Sequence, residues 1–364
     1  LECGLSVEVY AGEIVHIGET SDRPNCGILS PAFVNAHSHL EYRGMADSLP
    51  GGDYTRFIRE ITQLKRGQSP ESVQEDCRRA AHENRAAGVG YLAEHSDRPY
   101  SGQAMAEAGL EGVLFQEVLT VAEGGGVEQK ILECERRLDS QREVFKGATG
   151  WALHAPYTVD AEVFRRFARR GDPISVHVAE SLAERDLFEH GTGPIADFLV
   201  SVGAPLPRHS QGPVAWLSEL GVLGKGVQCV HVCAVNNADI EMISAAHASV
   251  AHCPSSNVFL ACPVAPVKRL LDAGVTVGLG LDSAASSGAI DMFKEMRACL
   301  QQSHELKEPI TSAQVWFMAT TGGAESLDLG DWRIEVGSKV PMILIEHPGA
   351  SSLDDLIARG VPQD

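Results

Sequence analysis

A chain of 364 residues can bury a full hydrophobic core and carries one large domain with a small appendage as its default organisation. Its formal net charge of -19, with no Lys/Arg-rich run, excludes the nucleic-acid backbone as a partner, and the lack of any apolar run of about 18 residues excludes a membrane-spanning helix. The nine cysteines are odd in number, scattered and free of any C-x-x-C pair, which excludes a secreted disulfide framework and places the chain in the cytoplasm.

Residues 1–30 read as short strands: Leu5-Ser-Val-Glu-Val-Tyr10 alternates, Gly12-Glu13 is a turn signal and Ile14-Val-His-Ile-Gly18 follows. They are too few to hold a sheet by themselves. Trp332 to Glu346 has the same character at the far end, so both ends are expected to meet in one small β-sandwich domain, residues 1–30 plus 331–364. The chain opens on Leu1 rather than Met, which leaves room for residues ahead of it.

Between the ends, residues 31–330 alternate strand-like and helix-like runs. The strands are Val34 to His37, Gly90 to His95, Gly112 to Val118, Trp151 to His154, Ile174 to His177, Val227 to His231, Ala248 to His252 and Val275 to Asp282. Helical spacing occupies Pro70 to Ala87, Glu128 to Phe145, Ala161 to Arg170, Ala238 to Ala246 and Val264 to Ala273. Eight such units make an α/β protein with a (β/α)₈ TIM-type barrel, whose sites lie at the C-terminal strand ends. Nearly every strand here ends in His, Glu or Asp. Gly124-Gly-Gly126 reads as a loop, Gly191-x-Gly-Pro194 and Pro205-x-Pro207 mark a connection between the fifth and sixth units, and the glycines of Val277-Gly-Leu-Gly280 read as close packing within a strand, since no phosphate-binding helix follows them.

The strand ends carry the chemistry. His37 and His39 are two apart on an extended segment and therefore share a face, which is half of a metal site. His177 and Asp282 end two further strands. Together the four offer three imidazoles and one carboxylate, donors that suit one divalent ion, Zn²⁺ first and Fe²⁺ second, with a position left for water. Such an ion brings the pKa of bound water towards ~7, so the expected nucleophile is water rather than a side chain.

Glu180, three residues past His177, is the expected proton carrier; the plainer alternative is a helix N-terminal acid complementing the dipole of Leu182 to Phe188. His231 is expected to orient the attacking oxygen. His154, His252 and Glu117 are the expected substrate contacts, with further specificity residues in a loop from Leu40 to Lys65. His16, His82, His190, His209, His247, His304 and His347 read as structural or surface histidines, and Cys253 as a buried small residue. No Lys ends the fourth strand at Leu153-His154-Ala155-Pro156, so a single metal rather than a bridged pair is expected. The only partners expected are a small-molecule substrate and, at most, a second copy of the chain in a homodimer.

These residues resemble the amidohydrolase superfamily, in its branch of nucleobase and adenosine-type deaminases. The resemblance rests on Pro31-Ala-Phe-Val-Asn-Ala-His-Ser-His39, His154-Ala-Pro-Tyr-Thr158, His177-Val-Ala-Glu-Ser181, His231 with Asp239-Ile240, His252-Cys-Pro-Ser-Ser-Asn257, and Asp282-Ser-x-Ala-Ser286 before Asp291-Met-Phe-Lys-Glu-Met296. It implies metal ligation by His37, His39, His177 and Asp282, a proton shuttle at Glu180 and a hydroxide-orienting His231. The chain departs from the usual pattern at Ala32, where Gly is common, and at Leu281, where Thr is. The short His39-Leu-Glu41 segment with Asp282-Ser-x-Ala-Ser286 is similar to aminofutalosine deaminases of menaquinone synthesis, which implies 6-aminodeoxyfutalosine as substrate. Guanine, S-adenosylhomocysteine, a triazine or a cyclic amide are the alternatives for the same hydrolytic site. A non-catalytic metal-binding barrel is the alternative of another class, because one fold hosts many functions.

Overall fold

A computed structural model describes residues 5–19, 27–121, 126–346, 350 and 352–360. Twelve strands occur among them: β1 Leu5–Tyr10, β2 Glu13–Glu19, β3 Ile28–Pro31, β4 Phe33–Ser38, β5 Val89–Ser96, β6 Glu111–Val118, β7 Ala148–Leu153, β8 Ile174–Val178, β9 Val227–His231, β10 Ser249–His252, β11 Val277–Leu279 and β12 Met342–Ile345. Strands β4 to β11 form one parallel sheet in sequential order. A parallel bridge between Ser38 and Asp282 closes it into a barrel, with the Asp282 N–H donating to the His37 carbonyl at 2.9 Å. Parallel strands covered on both faces must be buried throughout. Strands β4, β5, β8, β9, β10 and β11 are buried at every position.

The eight barrel strands coincide with the eight expected from the sequence, and the expected helices appear at Pro70–Ala86, Val127–Val144, Ala161–Ala168, Asn237–Ala245 and Val267–Asp272. Gly280 meets the barrel seam closely: a Cβ there would lie 2.8 Å from both Cys253 Sγ and His37 Cβ. Close packing is thus the function of that glycine. Gly124 and Gly125 fall outside the described residues, while Gly126 caps Val127–Val144.

The chain ends meet in two antiparallel ribbons. β3 pairs with β12 from Ile28↔Ile345 to Pro31↔Met342. The β1–β2 hairpin is tied to the C-terminal segment by Ile14 N–H to Ser338 O at 2.9 Å and Gly337 N–H to Ile14 O at 2.7 Å. Trp332 donates its indole N–H to Ala32 O at 2.8 Å, and with Ile14 and Val340 it packs on Val34, Tyr91 and Val113 of the barrel.

Two expectations need correction. Leu353–Arg359 is a helix, capped by Ser352 and burying Leu356 and Ile357 in the main core rather than in the ribbons; the Ser-x-x-Asp cap ahead of Leu356-Ile357 was its signal. The expected loop Leu40 to Lys65 is instead a 3₁₀ turn, Leu40–Met45, followed by the helix Tyr54–Gly67, whose N-cap Asp53 accepts from Arg56 N–H at 2.8 Å. Among the described residues no helix is long and apolar enough to cross a membrane.

Candidate active site

The C-terminal barrel ends bring together the residues that the sequence pattern singled out. β4 delivers His37 and, beyond its last residue, His39; β8 delivers His177; Asp282 follows β11. His37 Nε2 lies 3.2 Å from His177 Nε2 and 3.7 Å from Asp282 Oδ1, and His39 Nε2 lies 3.8 Å from Asp282 Oδ1. Donors at about 2.0–2.1 Å from a tetrahedral Zn²⁺ stand about 3.3 Å from one another. The spacings in the protein bracket that edge length.

Hydrogen bonds behind the site fix which nitrogen faces inward. His39 Nδ1 donates to the His95 carbonyl at 3.0 Å and His177 Nδ1 to the His154 carbonyl at 2.7 Å, which leaves each Nε2 as a lone pair. Ser256 and Ser286 donate to Asp282 Oδ2 at 2.5 and 3.3 Å, turning Oδ1 towards the histidines. Burial pushes the pKa of His37 and His177 well below the ordinary imidazole value and that of His39 below it, and neighbouring imidazoles push His37 and His177 further. Neutral rings are the ligand form. On this donor set, the residues fit a divalent cation, and His37, His39 and Asp282 are mutually within 4.8 Å.

Glu180 and His231 face each other beside this cluster, with Glu180 Oε1 3.5 Å from His231 Nε2. Both sit at strained bends. Ala179 (φ 51°), His231 (φ 73°), Val232 (φ 53°) and Asp282 (φ 55°) adopt left-handed backbone, costly for any side chain and most for β-branched Val232. These bends fall at the ends of β8, β9 and β11, where the chain turns polar groups into the barrel mouth. Burial, then the nearby Asp282 carboxylate, pushes the Glu180 carboxyl well above the usual range. Its backbone N–H is held by Glu184 Oε2 at 3.0 Å. His231 Nδ1 accepts from the Asn257 amide at 3.0 Å, which puts the ring proton on Nε2, facing Glu180.

A cavity of about 370 Å³ opens over these groups. His39, His154, His177, Glu117, Glu180, His231 and Asp282 all line it. His154 Nδ1 bonds the Thr158 hydroxyl at 2.9 Å, and Glu117 Oε1 lies 3.9 Å from His39 Nδ1. His252 does not line it. It is the last residue of β10, 1% exposed, and its ring points outward into a gap among Ala265, Val267, Cys299 and Gln302 of the surrounding helices. Its expected substrate contact is therefore withdrawn: side chains alternate along a strand, and this one falls on the outer face. Among the other histidines, His16, His82, His190, His247 and His304 are exposed and His209 is half-buried; His347 lies outside the described residues. Burial holds the Cys253 thiol well above its ordinary pKa, in keeping with an inert side chain.

Several lining or supporting residues were not singled out by the sequence. Asn257 sits within a quoted motif without a role. Tyr54, with its hydroxyl 2.6 Å from that of Tyr157, comes from the helix that was read as a loop. His95, whose ring centroid is 4.1 Å from that of His37, ends its strand as the pattern required but carried no assignment. Glu94, which accepts from Leu40 N–H at 3.0 Å and from the Ser101 hydroxyl at 2.8 Å, anchors the turn after His39; nothing in its spacing marks it.

The amidohydrolase family matches residues 28–355, and the chain belongs to that family. It is a hydrolytic enzyme acting on C–N bonds. A relative, the 5-methylthioadenosine/S-adenosylhomocysteine deaminase of Pelotomaculum thermopropionicum, is 32% identical over 351 residues, which span 91% of this chain and 75% of the relative. Among solved structures, a zinc-bound adenosine deaminase from Xanthomonas campestris superposes with a TM-score of 0.83 at 24% identity, covering 97% of this chain and 84% of that one. Helicobacter pylori aminofutalosine deaminase, in complex with methylthio-coformycin, superposes with a TM-score of 0.81 at 21% identity, covering 96% and 90%. At these identities the superpositions speak for the fold.

Proposed function

We propose that this chain is a metal-dependent deaminase that releases ammonia from an aminated purine of adenosine type, with 6-aminodeoxyfutalosine as the preferred candidate. The observation that carries the reading is the pairing of a buried carboxyl, Glu180, with an oriented His231 beside two overlapping donor groups, His37, His39 and Asp282 in one and His37, His177 and His231 in the other. A structural metal site has no use for that pair. The deaminase names of relatives such as the one from Pelotomaculum thermopropionicum support the substrate class.

In this reading His37, His39, His177 and Asp282 hold one divalent cation, Zn²⁺ first, which when bound makes a water molecule acidic enough to attack at neutral pH. The rest falls to the chain's own residues. Glu180 receives the proton of the attacking water and delivers it to the ring nitrogen beside the aminated carbon. It then carries a proton to the leaving amine. The C–N bond breaks as the carbonyl forms, so water and the amine become a ring carbonyl and ammonia. His231, with its proton on Nε2, donates to the oxygen on which charge develops. His154 and Glu117, which stand beside His177 and His39, contact the heterocycle and its substituent. A screen of purines and adenosine derivatives for ammonia release by the zinc-loaded chain tests the proposal; ring opening without ammonia would move the activity to a cyclic amide instead.

A further inference from the structure

We infer that Tyr54, backed by Tyr157, is a positioning residue for the proton carrier: its hydroxyl donates to the Glu180 carboxylate and holds it at one angle while it moves a proton from water to substrate. This rests on the deaminase reading above, with Glu180 as its shuttle, and adds a group that the reading does not use.

Three separate units of the barrel meet at this point. Tyr54 opens the helix Tyr54–Gly67 in the connection after β4, Tyr157 sits just past β7, and Glu180 follows β8. Asp53 caps that helix through the Arg56 N–H, and Tyr54 falls on the same buried face as Phe57 and Ile61. The segment ahead of it is clamped: Gly52 donates its N–H to Phe259 O at 2.7 Å, and a Cβ on Gly51 would stand 2.6 Å from that oxygen. Phe57 meets Phe259 edge-on, with ring centroids 6.2 Å apart. Phe259 ends the short helix Pro254–Phe259, which also carries Ser256 and Asn257, the partners of Asp282 and His231. Tyr54 is thereby set in the same frame as the groups of the site. Tyr157 is presented by a closed turn, in which Thr158 N–H donates to Ala155 O at 3.0 Å and Ala155 N–H to the Thr158 hydroxyl at 3.0 Å.

Counting protons gives the order of the chain. The two hydroxyls lie 2.6 Å apart and both side chains are buried. Burial pushes both phenols well above their ordinary pKa, so each keeps its proton. One of those protons makes the bond between the hydroxyls. The other needs an acceptor, because a buried donor left without one is costly. Tyr54 lines the cavity together with Glu180, whereas Tyr157 is not among the lining residues. A hydrogen bond from Tyr54 opposes the rise that burial, and then Asp282, impose on the Glu180 carboxyl. A bond that favours the charged form of an acid is one donated to it. Donation therefore runs from Tyr157 to Tyr54 and from Tyr54 to Glu180.

A shuttle carboxylate needs such a hold. The terminal torsion of a glutamate is broad and roughly two-fold, so rotamer preference alone does not fix the plane of its oxygens. His231 supplies one donor, with Nε2 3.5 Å from Glu180 Oε1. Tyr54 supplies a second, from a different part of the chain. Two donors on fixed elements set the carboxylate plane, and a proton that must first be taken from water and then be given to a ring nitrogen requires that plane to be kept through both transfers. Mutual satisfaction of two core hydroxyls, the plainer role for the pair, leaves one of their two protons without an acceptor.

The test is Tyr54→Phe in the zinc-loaded full chain, alone and combined with Glu180→Gln, with ammonia release from adenosine and its 5′-deoxy and 5′-thioether derivatives as the readout. Tyr54→Phe keeps the ring and removes the donor. The expected result is a kcat lower by about 10–100-fold, the cost of a misplaced reacting group, with KM and zinc content close to wild type. In the Glu180→Gln background the same substitution should leave kcat unchanged, because no proton passes through the amide. Tyr157→Phe should act in the same direction and more weakly, and add nothing to Tyr54→Phe. If Tyr54→Phe does not fold, Tyr157→Phe decides alone: a lower kcat at constant KM supports the chain of donors, and a wild-type kcat overturns it. Wild-type kcat in Tyr54→Phe overturns the assignment and leaves the deaminase reading intact. A higher KM at constant kcat, the mark of a substrate contact, does the same, as does an equal loss in the Glu180→Gln background. No ammonia from any of these substrates with the wild-type chain overturns both readings.

Discussion

The Asn257 amide donates to Nδ1 of His231 at 3.0 Å, and because an amide NH₂ can only donate, the single proton of the neutral ring must sit on Nε2, 3.5 Å from Glu180. That is the opposite tautomer from His39 and His177, whose Nδ1 atoms donate to backbone carbonyls and whose Nε2 atoms face the cluster as lone pairs. Residues on neighbouring strands are thereby sorted by their partners into ligands and a donor. Burial, then His252, depresses the His231 pKa to about 3, which keeps the ring in this neutral form.

Asn257→Ala should therefore lower kcat by about 10–100-fold, the usual cost of removing an orienting partner, while zinc content stays at the wild-type value. Steady-state kinetics with metal analysis checks this. Unchanged kcat would mean that the ring is oriented without the amide.

His177→Ala should lose both metal and activity, since the ring supplies one of four donors and its Nε2 lies 3.2 Å from that of His37. Metal analysis after dialysis is the measurement. Full occupancy in the variant would remove His177 from the ligand set.

Glu180→Gln keeps the shape of the side chain and removes its capacity to carry a proton. The expected result is a fall in kcat of about 10²–10⁴ with metal retained. Equal turnover in a metal-replete variant would end the shuttle assignment and favour the plainer role of an acid at a helix N-terminus, complementing the dipole of Leu182–His190.

Glu184 gives a pH-dependent stability effect. Burial pushes its carboxyl to about 8, against a bonding contribution from the Glu180 and Ala179 N–H groups. The folded protein holds a proton there that the unfolded chain, with its ordinary value of 4.5, has released. This group therefore costs nothing below pH ~4.5, and between there and pH ~8 it lowers stability by up to about 1.4 kcal/mol per pH unit. Glu184→Gln keeps an acceptor for the Glu180 N–H without the ionisation. Its stability relative to wild type, measured by urea unfolding of the zinc-loaded proteins, should rise from pH 5 to pH 8; a difference independent of pH would contradict the proton assignment.

The barrel was legible because a parallel sheet covered on both faces writes its strands as apolar runs, and because this chain ends those runs in His, Glu or Asp. His37, His39, His177 and Asp282 could be read for that reason alone. Their partners could not. Asn257, Ser256 and Glu94 act across long sequence separations on residues of other units, and no local period records such a pairing. His252 was misread because strand-end position does not say which face the last residue takes. The helix Tyr54–Gly67 is a different case: Asp53 caps it and Tyr54, Phe57 and Ile61 keep helical spacing on one buried face, so its signal was present in the sequence.

The most direct test is a zinc titration of metal-free protein, followed by ammonia release from adenosine derivatives at each point. Activity should rise linearly and saturate at one equivalent of zinc per chain. Saturation at two equivalents, or ammonia release by protein shown to be metal-free, would contradict a single cation held by His37, His39, His177 and Asp282.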